Sequence, residues 1–533
     1  MFDNKTVGAS KVTIKRNRLR SARSNLSEGH DQRRLPSLSS ESLGGGIGAD
    51  LLGQNMRLSR RSPCAIMRMT ALVLLSFTLT GCATHVADVP PAVLADQTFS
   101  GEGGDPLPER WWHSFSDTVL NELIEEGMAG SPDLAVWWAR LDQTRAMARK
   151  AGADLWPSLD LDGQASRSGE WREGESETFT NAMWLGATMS YEIDLWGGIR
   201  SAREAAAFNA AASREDVLAA EITLSSRIAS TWYELAEAKG QIAVLEEQAL
   251  ANEQVLELVT LNFRRGKVGA SDVLRQRQLL ESNSGDLSLA RARLSILRHQ
   301  LAVLLGRSSQ DPVNDAAASL INLPPLPRIG LPAELLRTRP DVRSAFLSVA
   351  SAHASTAAAV AERYPRISLS GRVSTGGSEA SNVFTDWLGN LAANLVTPLI
   401  DGGERRAEVA RRRAESREAL GQYRLVVLAA VREVEDALVK ERQQRAHMES
   451  LESQLELAGA VVERTRDAYL GGHADYLRVL DALISQQLLQ RRVLAAHRLL
   501  IQYRIDLSRA LGCGWTLHHS AGADTPVEVR NDQ

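Results

Sequence analysis

The sequence predicts an α+β membrane protein: a tandem-duplicated unit in which long, coiled-coil-like helical hairpins carry two membrane-crossing strands per copy. Three observations lead there. Short motifs recur along the chain at a nearly constant offset, two long intervals contain no proline, and four segments alternate apolar and polar residues with a period of two.

The repeats come first. Pro132-Asp133-Leu134 returns as Pro340-Asp341-Val342, and Pro157 to Gly163 returns as Pro365 to Gly371, both at an offset of 208. Gly197-Gly198 returns as Gly402-Gly403 at 205; Gly266 and Leu305-Gly306 return as Gly472 and Leu511-Gly512 at 206. Five anchors in one order with small indels indicate duplication. They divide the body into a first unit, 111–310, a Pro-rich linker, 311–331, and a second unit, 332–516.

Proline is absent from 158 to 311 and from 399 to 525, so both intervals admit helices far longer than a globular domain uses. Residues 200–264 and 405–469 are rich in Ala, Leu, Glu, Arg and Gln, all strong helix formers. Val427, Val431, Val434 and Leu438 mark a coiled-coil-like seam. Glycine turns at Gly266 and Gly472 end these helices, and return helices follow over 272–305 and 475–511.

Strands flank the long helices. From Phe179 to Leu195 the odd positions are mostly apolar and the even ones carry Thr180, Thr188, Ser190, Glu192 and Asp194. Leu159, Leu161 and Gly163 alternate with Asp160 and Asp162, and Ile367, Leu369 and Val373 with Ser368, Ser370 and Arg372. Leu391, Ala393, Leu395 and Leu399 alternate more weakly with Asn390 and Asn394. A half-buried soluble sheet alternates in the same way. The aromatics decide for a membrane barrel: Trp156, Trp196 and Tyr364 stand at three of the four strand–helix junctions, at one level, as an interfacial girdle does; Ile400 holds the fourth. The double glycines Gly197, Gly198, Gly402 and Gly403 make two of these junctions. Four strands cannot close a barrel, and an open edge is not tolerated in lipid. Several chains must share one; three give twelve strands.

The 533 residues are 44% hydrophobic and 24% charged, too polar for a bundle of membrane-spanning helices and too apolar for a disordered chain. A net charge of -4 offers no case for nucleic-acid binding. The charge is uneven: 13 Lys and Arg face 5 Asp and Glu in residues 1–81, against 48 and 60 beyond. Residues 1–55 are a disordered or mis-called extension, with translation starting at Met1, Met56 or Met67. Residues 56–81 read as a signal peptide with an arginine-rich start and a short apolar stretch. Leu79-Thr80-Gly81-Cys82 resembles a bacterial lipobox, which implies a lipid on the Cys82 thiol, cleavage before it, and an outer-membrane anchor with Ala83 following. Residues 82–110 are then a lipidated linker, and 517–533 a polar tail. Three cysteines make no disulfide framework, and His518-His519 in the tail read as solvated rather than metal-binding. No HExxH, GxSxG or Walker A motif is present, so the sequence predicts neither enzyme nor cofactor.

Many ordered motifs now carry a resemblance. Trp111-Trp112 with Phe115 and Asp117, Tyr191 to Gly198, Arg339-Pro-Asp-Val342, Tyr364 to Leu369, Pro398 to Gly403, Val434 to Leu438 and Ala510-Leu-Gly512 resemble the NodT-type outer-membrane efflux lipoproteins of the TolC-like outer membrane factor family, over about 110–516. The resemblance implies a homotrimer: a twelve-stranded barrel continuous with a periplasmic α-helical tunnel. It also implies a role as exit duct of a tripartite pump that passes small toxic compounds, docked to a periplasmic adaptor (membrane fusion) protein and an inner-membrane transporter of the resistance-nodulation-division class. Cys513 stands where the family usually has glycine.

By motif match the tunnel's far end holds the gate. Asp481 is the candidate for a ring of three carboxylates, which would select cations. Tyr469 matches the family's gate tyrosine, and Ser271 and Asp272 its partners. Arg478 replaces a second acidic position, and Ala474 a gate arginine. Arg478 is left to pair with Asp475 or Asp481, three residues away on either side. Two other functions compete: a duct for type I secretion of protein or peptide, and a lipidated coiled-coil spacer, which needs neither strands nor glycine junctions.

Overall fold

A computed structural model describes residues 98–512 apart from 102, 105, 106, 109 and 175. Cys82, its leader, Cys513 and the tail with His518 and His519 lie outside the described residues. The first unit opens with a 3-10 turn, Trp111–Phe115, then α1 (Thr118–Gly130), α2 (Pro132–Ala153), β1 (Ser158–Glu170), β2 (Thr178–Ile193), α3 (Gly198–Arg264) and α4 (Ala270–Leu304). After the linker and a short helical turn at 332–338, the second unit repeats the order: α5 (Pro340–Ala361), β3 (Arg366–Gly377), β4 (Trp387–Val396), α6 (Glu404–Leu470) and α7 (Tyr476–Leu511).

The long helices α3 and α6 have 67 residues each, about 100 Å. Their return helices have 35 and 36 residues, so each hairpin closes only halfway back. The other half of α3 and of α6 runs beside α2 and α5, the helices that lead into the strands. Pro132 and Pro340 stand at the first position of α2 and α5, where a missing N–H costs nothing. These two helices are absent from the sequence reading, which used their prolines only as repeat markers. The predicted seam is internal: Val427, Val434 and Leu438 are buried and Val431 packs against them.

The core gathers where the return helices end. Trp111, Trp112, Phe115, Leu120 and Ile124 pack on Ile228, Trp232, Tyr233, Leu301, Ile501 and Ile505. Asp117 ties the layers, capping α1 through the Leu120 N–H at 3.0 Å and accepting the Trp232 indole N–H at 2.8 Å. A second cluster joins Val342 and Val349 to Tyr423, Val427, Val434 and Leu507.

The strands form one antiparallel meander, β1-β2-β3-β4. The predicted fourth strand is displaced: it ends at Val396, because Pro398 has no N–H to donate, and Leu399 and Ile400 lie beyond it, almost fully exposed.

Candidate functional site

Directly opposed residues of an antiparallel ladder share a face of the sheet. The register therefore sorts every strand residue. One face carries Leu159 and Leu161 opposite Met189 and Ala187, then Ile367 and Leu369 opposite Ile193 and Tyr191, then Leu395 and Leu391 opposite Ile367 and Gly371. It is apolar and unprotected: Leu159 and Leu161 are each 75% exposed and Leu391 is 81% exposed. The opposite face is polar and internally bonded. Arg372 reaches over β2 to Asp162 at 3.0 Å, stacks 4.8 Å from the Trp184 ring, and Trp184 donates to Gln164 Oε1 at 3.0 Å. Gly186 leaves room for the crossing: a Cβ there would stand 3.3 Å from the Arg372 guanidinium.

Aromatics bracket the apolar face. At the helical end Trp196 stacks on Tyr364 with centroids 4.8 Å apart and donates its indole N–H to the Pro365 carbonyl at 2.7 Å; Trp156 is exposed nearby in the chain. At the hairpin-loop end Trp171, Phe179, Phe384 and Trp387 are exposed in turn, a second level the sequence reading did not identify. The junctions are made by glycine: Gly197, Gly402 and Gly403 have φ of 74°, 62° and 92°, which side chains rarely adopt, while Gly198 begins α3 against the Ala361 methyl. At the second junction the Asp401 carboxyl is held below its usual range by the Gly403 N–H and by Arg405.

The opposite end is built from two matching turns. Gly266, φ 71°, donates to the Phe263 carbonyl while Lys267 donates to Asn262; Gly472, φ 74°, and His473 repeat the pattern on Tyr469 and Ala468. Both are Schellman stops. The next helices start with acidic caps: Asp272 accepts the Gly269 N–H at 3.2 Å, and Asp475 accepts the Arg478 N–H at 3.3 Å. The gate candidates fall as follows. Arg478 lies 4.0 Å from Asp475, both well exposed, and no ion pair to Asp481 occurs among the described residues. Asp481 is exposed, one turn along α7. Tyr469 is bonded to Asn262 at 3.2 Å, within the chain, rather than to Ser271 or Asp272. Ser271 is exposed at the start of α4.

Above the turns, a buried layer of amides joins the two hairpins, and the sequence reading missed it. Gln276 donates to the Asn252 carbonyl at 2.9 Å and accepts from Tyr476 Oη at 2.5 Å, and Gln487 donates to the Asn252 side chain at 3.1 Å. Gln248 donates to the Gln487 carbonyl at 3.0 Å. Burial pushes the Tyr476 hydroxyl well above the usual tyrosine range, assisted by Tyr469 and Asp272. The signal in the sequence was a set of amides at interior positions of a coiled-coil pattern.

Comparison with known proteins fits this geometry. The family model described as "Outer membrane efflux protein" matches residues 123–307 and 331–513, the two units in turn. The "Pyoverdine export outer membrane protein OpmQ" of Pseudomonas putida is 31% identical over 476 residues, 86% of this chain and 99% of that protein. "Nodulation protein T" of Rhizobium leguminosarum bv. trifolii is 27% identical over 84% of this chain and 97% of its own. The solved outer-membrane channel OprN superposes with a TM-score of 0.74 at 26% identity, covering 80% of this chain and 97% of that one. The first is named for export at the outer membrane and the last is an outer-membrane channel. With a four-stranded sheet beside long helical hairpins and two matched repeats, the chain belongs to the outer membrane efflux protein family: it is an outer-membrane channel that serves as an exit duct for efflux.

Proposed function

We propose that three copies of this chain close a twelve-stranded barrel over a periplasmic helical tunnel, anchored by lipid on Cys82. One observation carries the reading: the four-stranded sheet has a largely apolar face with exposed Leu159, Leu161, Leu391 and Leu395, and two unpaired edges, β1 and β4. In lipid an unsatisfied edge costs several kcal/mol per backbone group, so the edges must pair with copies. The polar face with Asp162, Arg372 and Gln164 then lines the lumen, and the two aromatic levels sit at the membrane interfaces.

The duct passes small compounds delivered by a periplasmic adaptor and an inner-membrane transporter of the resistance-nodulation-division class. Likeness to a relative named for pyoverdine export favours small-molecule cargo over secreted protein. The gate lies at the two Schellman turns. Asp481 has no ion pair among the described residues, and a three-fold axis makes it a ring of carboxylates that retains cations. Tyr469 and Asn262 hold each chain's two turns together.

The native mass of the detergent-extracted protein, by light scattering corrected for bound detergent, tests the reading. Three protomers are expected. A monomer that stays folded without detergent would make the alternating segments an ordinary sheet and the protein a lipidated spacer.

A further inference from the structure

The duplication supplies an internal control. Core positions of the two return helices agree at the offset of 206: Leu301 matches Leu507, Leu305 matches Leu511, and Arg298 matches Arg504, each arginine holding the linker. Other positions on the same helices diverge. Ile296, Gln300 and Val303 of α4 correspond to Gln502, Asp506 and Arg509 of α7. These six residues form the two walls of one groove of about 700 Å³, a volume in the range of small-ligand sites. Its floor is α3, with Arg227 and Ser230. The divergence gives the groove one largely apolar wall, where Ile296 and Val303 are exposed, and one polar wall.

Two observations fix where the groove lies. The first is that α3 packs on both α4 and α7, which scarcely touch each other, and that α7 packs on α6. The groove is therefore built within one chain, and in a ring the next copies join beyond α4 and beyond α6. The second is that the layer made by the Trp111–Phe115 turn, α1 and the linker covers the opposite faces of the same helices. Trp232 of α3 donates to Asp117, Leu301 of α4 packs in that core, and His497 of α7 bonds to the Ile321 carbonyl. Ser230, Val303 and Asp506 project roughly 160–180° from these three residues around their helix axes. Twelve helices about 10 Å apart enclose a bore of about 28 Å, and that layer on the inner side would narrow it to less than about 10 Å. The layer therefore lies outside the duct, and the groove opens into it.

The charge on the groove selects its ligand. Arg227 and Arg509 are exposed and have no ion pair among the described residues. Asp506, the one acid among the lining residues, already accepts from Gln502 at 3.1 Å. We propose that this groove binds amphipathic organic anions passing along the duct. The apolar body lies on Ile296 and Val303, and the guanidinium forks of Arg227 and Arg509 hold the anionic group. The place of the groove in a duct rests on the three-copy reading above; the groove itself does not, because one chain makes it.

The test is calorimetric titration of naphthalene sulfonate into the full detergent-extracted protein, with naphthylmethylammonium as a cation of similar shape. The sulfonate is expected to bind at least about tenfold more tightly than the ammonium, and R227Q/R509Q to lose at least about tenfold in sulfonate affinity. Val303→Ser, on the other wall, should weaken both the sulfonate and R227Q/R509Q binding by a smaller factor. Equal sulfonate affinity in wild type and R227Q/R509Q overturns the proposal, since uptake by the micelle or by the apolar face of the sheet is the same in both. An ammonium that binds as tightly as the sulfonate also overturns it. If R227Q/R509Q fails to fold, R227Q alone is read in its place, with a smaller loss expected and no change overturning the proposal. A folded monomer by light scattering that still binds through the two arginines overturns the cargo role while the site stands, which separates failure of the duct from failure of the groove.

Discussion

The hairpins are held together in two different ways at their two ends. Where the return helices finish, the contact is made by buried charge. Arg504 and Glu441, each with side chains 2% exposed, form a two-pronged bridge at 2.6 and 2.9 Å, and the remaining Arg504 nitrogen donates to the carbonyls of Pro324 and Pro325. Lys239 holds the Asp315 and Ala316 carbonyls, and His497 Nε2 the Ile321 carbonyl at 2.9 Å. The linker is thus clamped as a collar, and Arg504 cannot let go of it without leaving a buried charge short of partners. Near the turns the same helices meet through neutral amides and the hydroxyls of Tyr469 and Tyr476. Amide pairs exchange partners at little cost, because each group is both donor and acceptor. The difference teaches where such a duct is fixed and where it can move: charge locks the collar, and amides permit adjustment at the tip.

The sharpest way to break the comparison is to remove one partner of the clamp. Arg504→Ala leaves the Glu441 carboxylate with Arg445 alone, at 3.2 Å, and takes the donor from two proline carbonyls, so a loss of about 3 kcal/mol is expected. The joint replacement Arg504→Met with Glu441→Leu should recover most of it, since an apolar pair of similar volume avoids the desolvation cost. Denaturant unfolding of the detergent-extracted protein reads both. A single mutant that unfolds like wild type would mean that the collar is not held by charge.

At the tip the expected effect is smaller and local. Tyr476→Phe removes one buried hydrogen bond to Gln276, worth about 1 kcal/mol, and should raise amide hydrogen exchange in the turn-side thirds of α3, α4, α6 and α7 while leaving the collar unchanged. The hydroxyl also gives a pH dependence. Its folded pKa lies above the unfolded value near 10, so above that value the unfolded chain releases a proton that the folded chain retains. Tip stability should therefore fall as pH rises past about 10, and Tyr476→Phe should remove that part of the fall. An identical alkaline profile in the variant would place the titrating group elsewhere, with Tyr233, also pushed upward by burial, the next to replace.

Features that repeat along the chain were legible in its residues. The Schellman glycines at 266 and 472, the 67-residue helices and the four strands follow from motif offsets, proline-free intervals and period-two alternation. Contacts between side chains distant in the chain were not. Nothing in the local pattern says that Arg504 meets Glu441 across 63 residues, that Arg372 spans β2 to reach Asp162, or that Tyr469 chooses Asn262. Periodicity identifies the face of a helix, but only the packed register identifies what that face meets. The helices α2 and α5 were missed because Pro132 and Pro340 at their first positions were read only as repeat markers; α5 packs between α3 and α6.

The smallest predicted effect on stability carries the most information about the gate. Asp475 does two things at once: its carboxylate caps α7 through the Arg478 N–H, and it stands 4.0 Å from the Arg478 side chain. Asparagine caps nearly as well as aspartate but carries no charge. In Asp475→Asn the helix start is retained, so stability should change by less than about 0.5 kcal/mol, as expected for an exposed pair. Arg478, released from Asp475, then has Asp481 as its remaining acid at i+3 on the same face. If Asp481 forms the cation-retaining ring, that neutralisation should weaken block of the channel by divalent cations, and Asp481→Asn should do the same with no further loss in the double variant. Additive losses in the double variant would show that the two carboxylates act separately, and would return Arg478 to the role of an ordinary solvated cap residue.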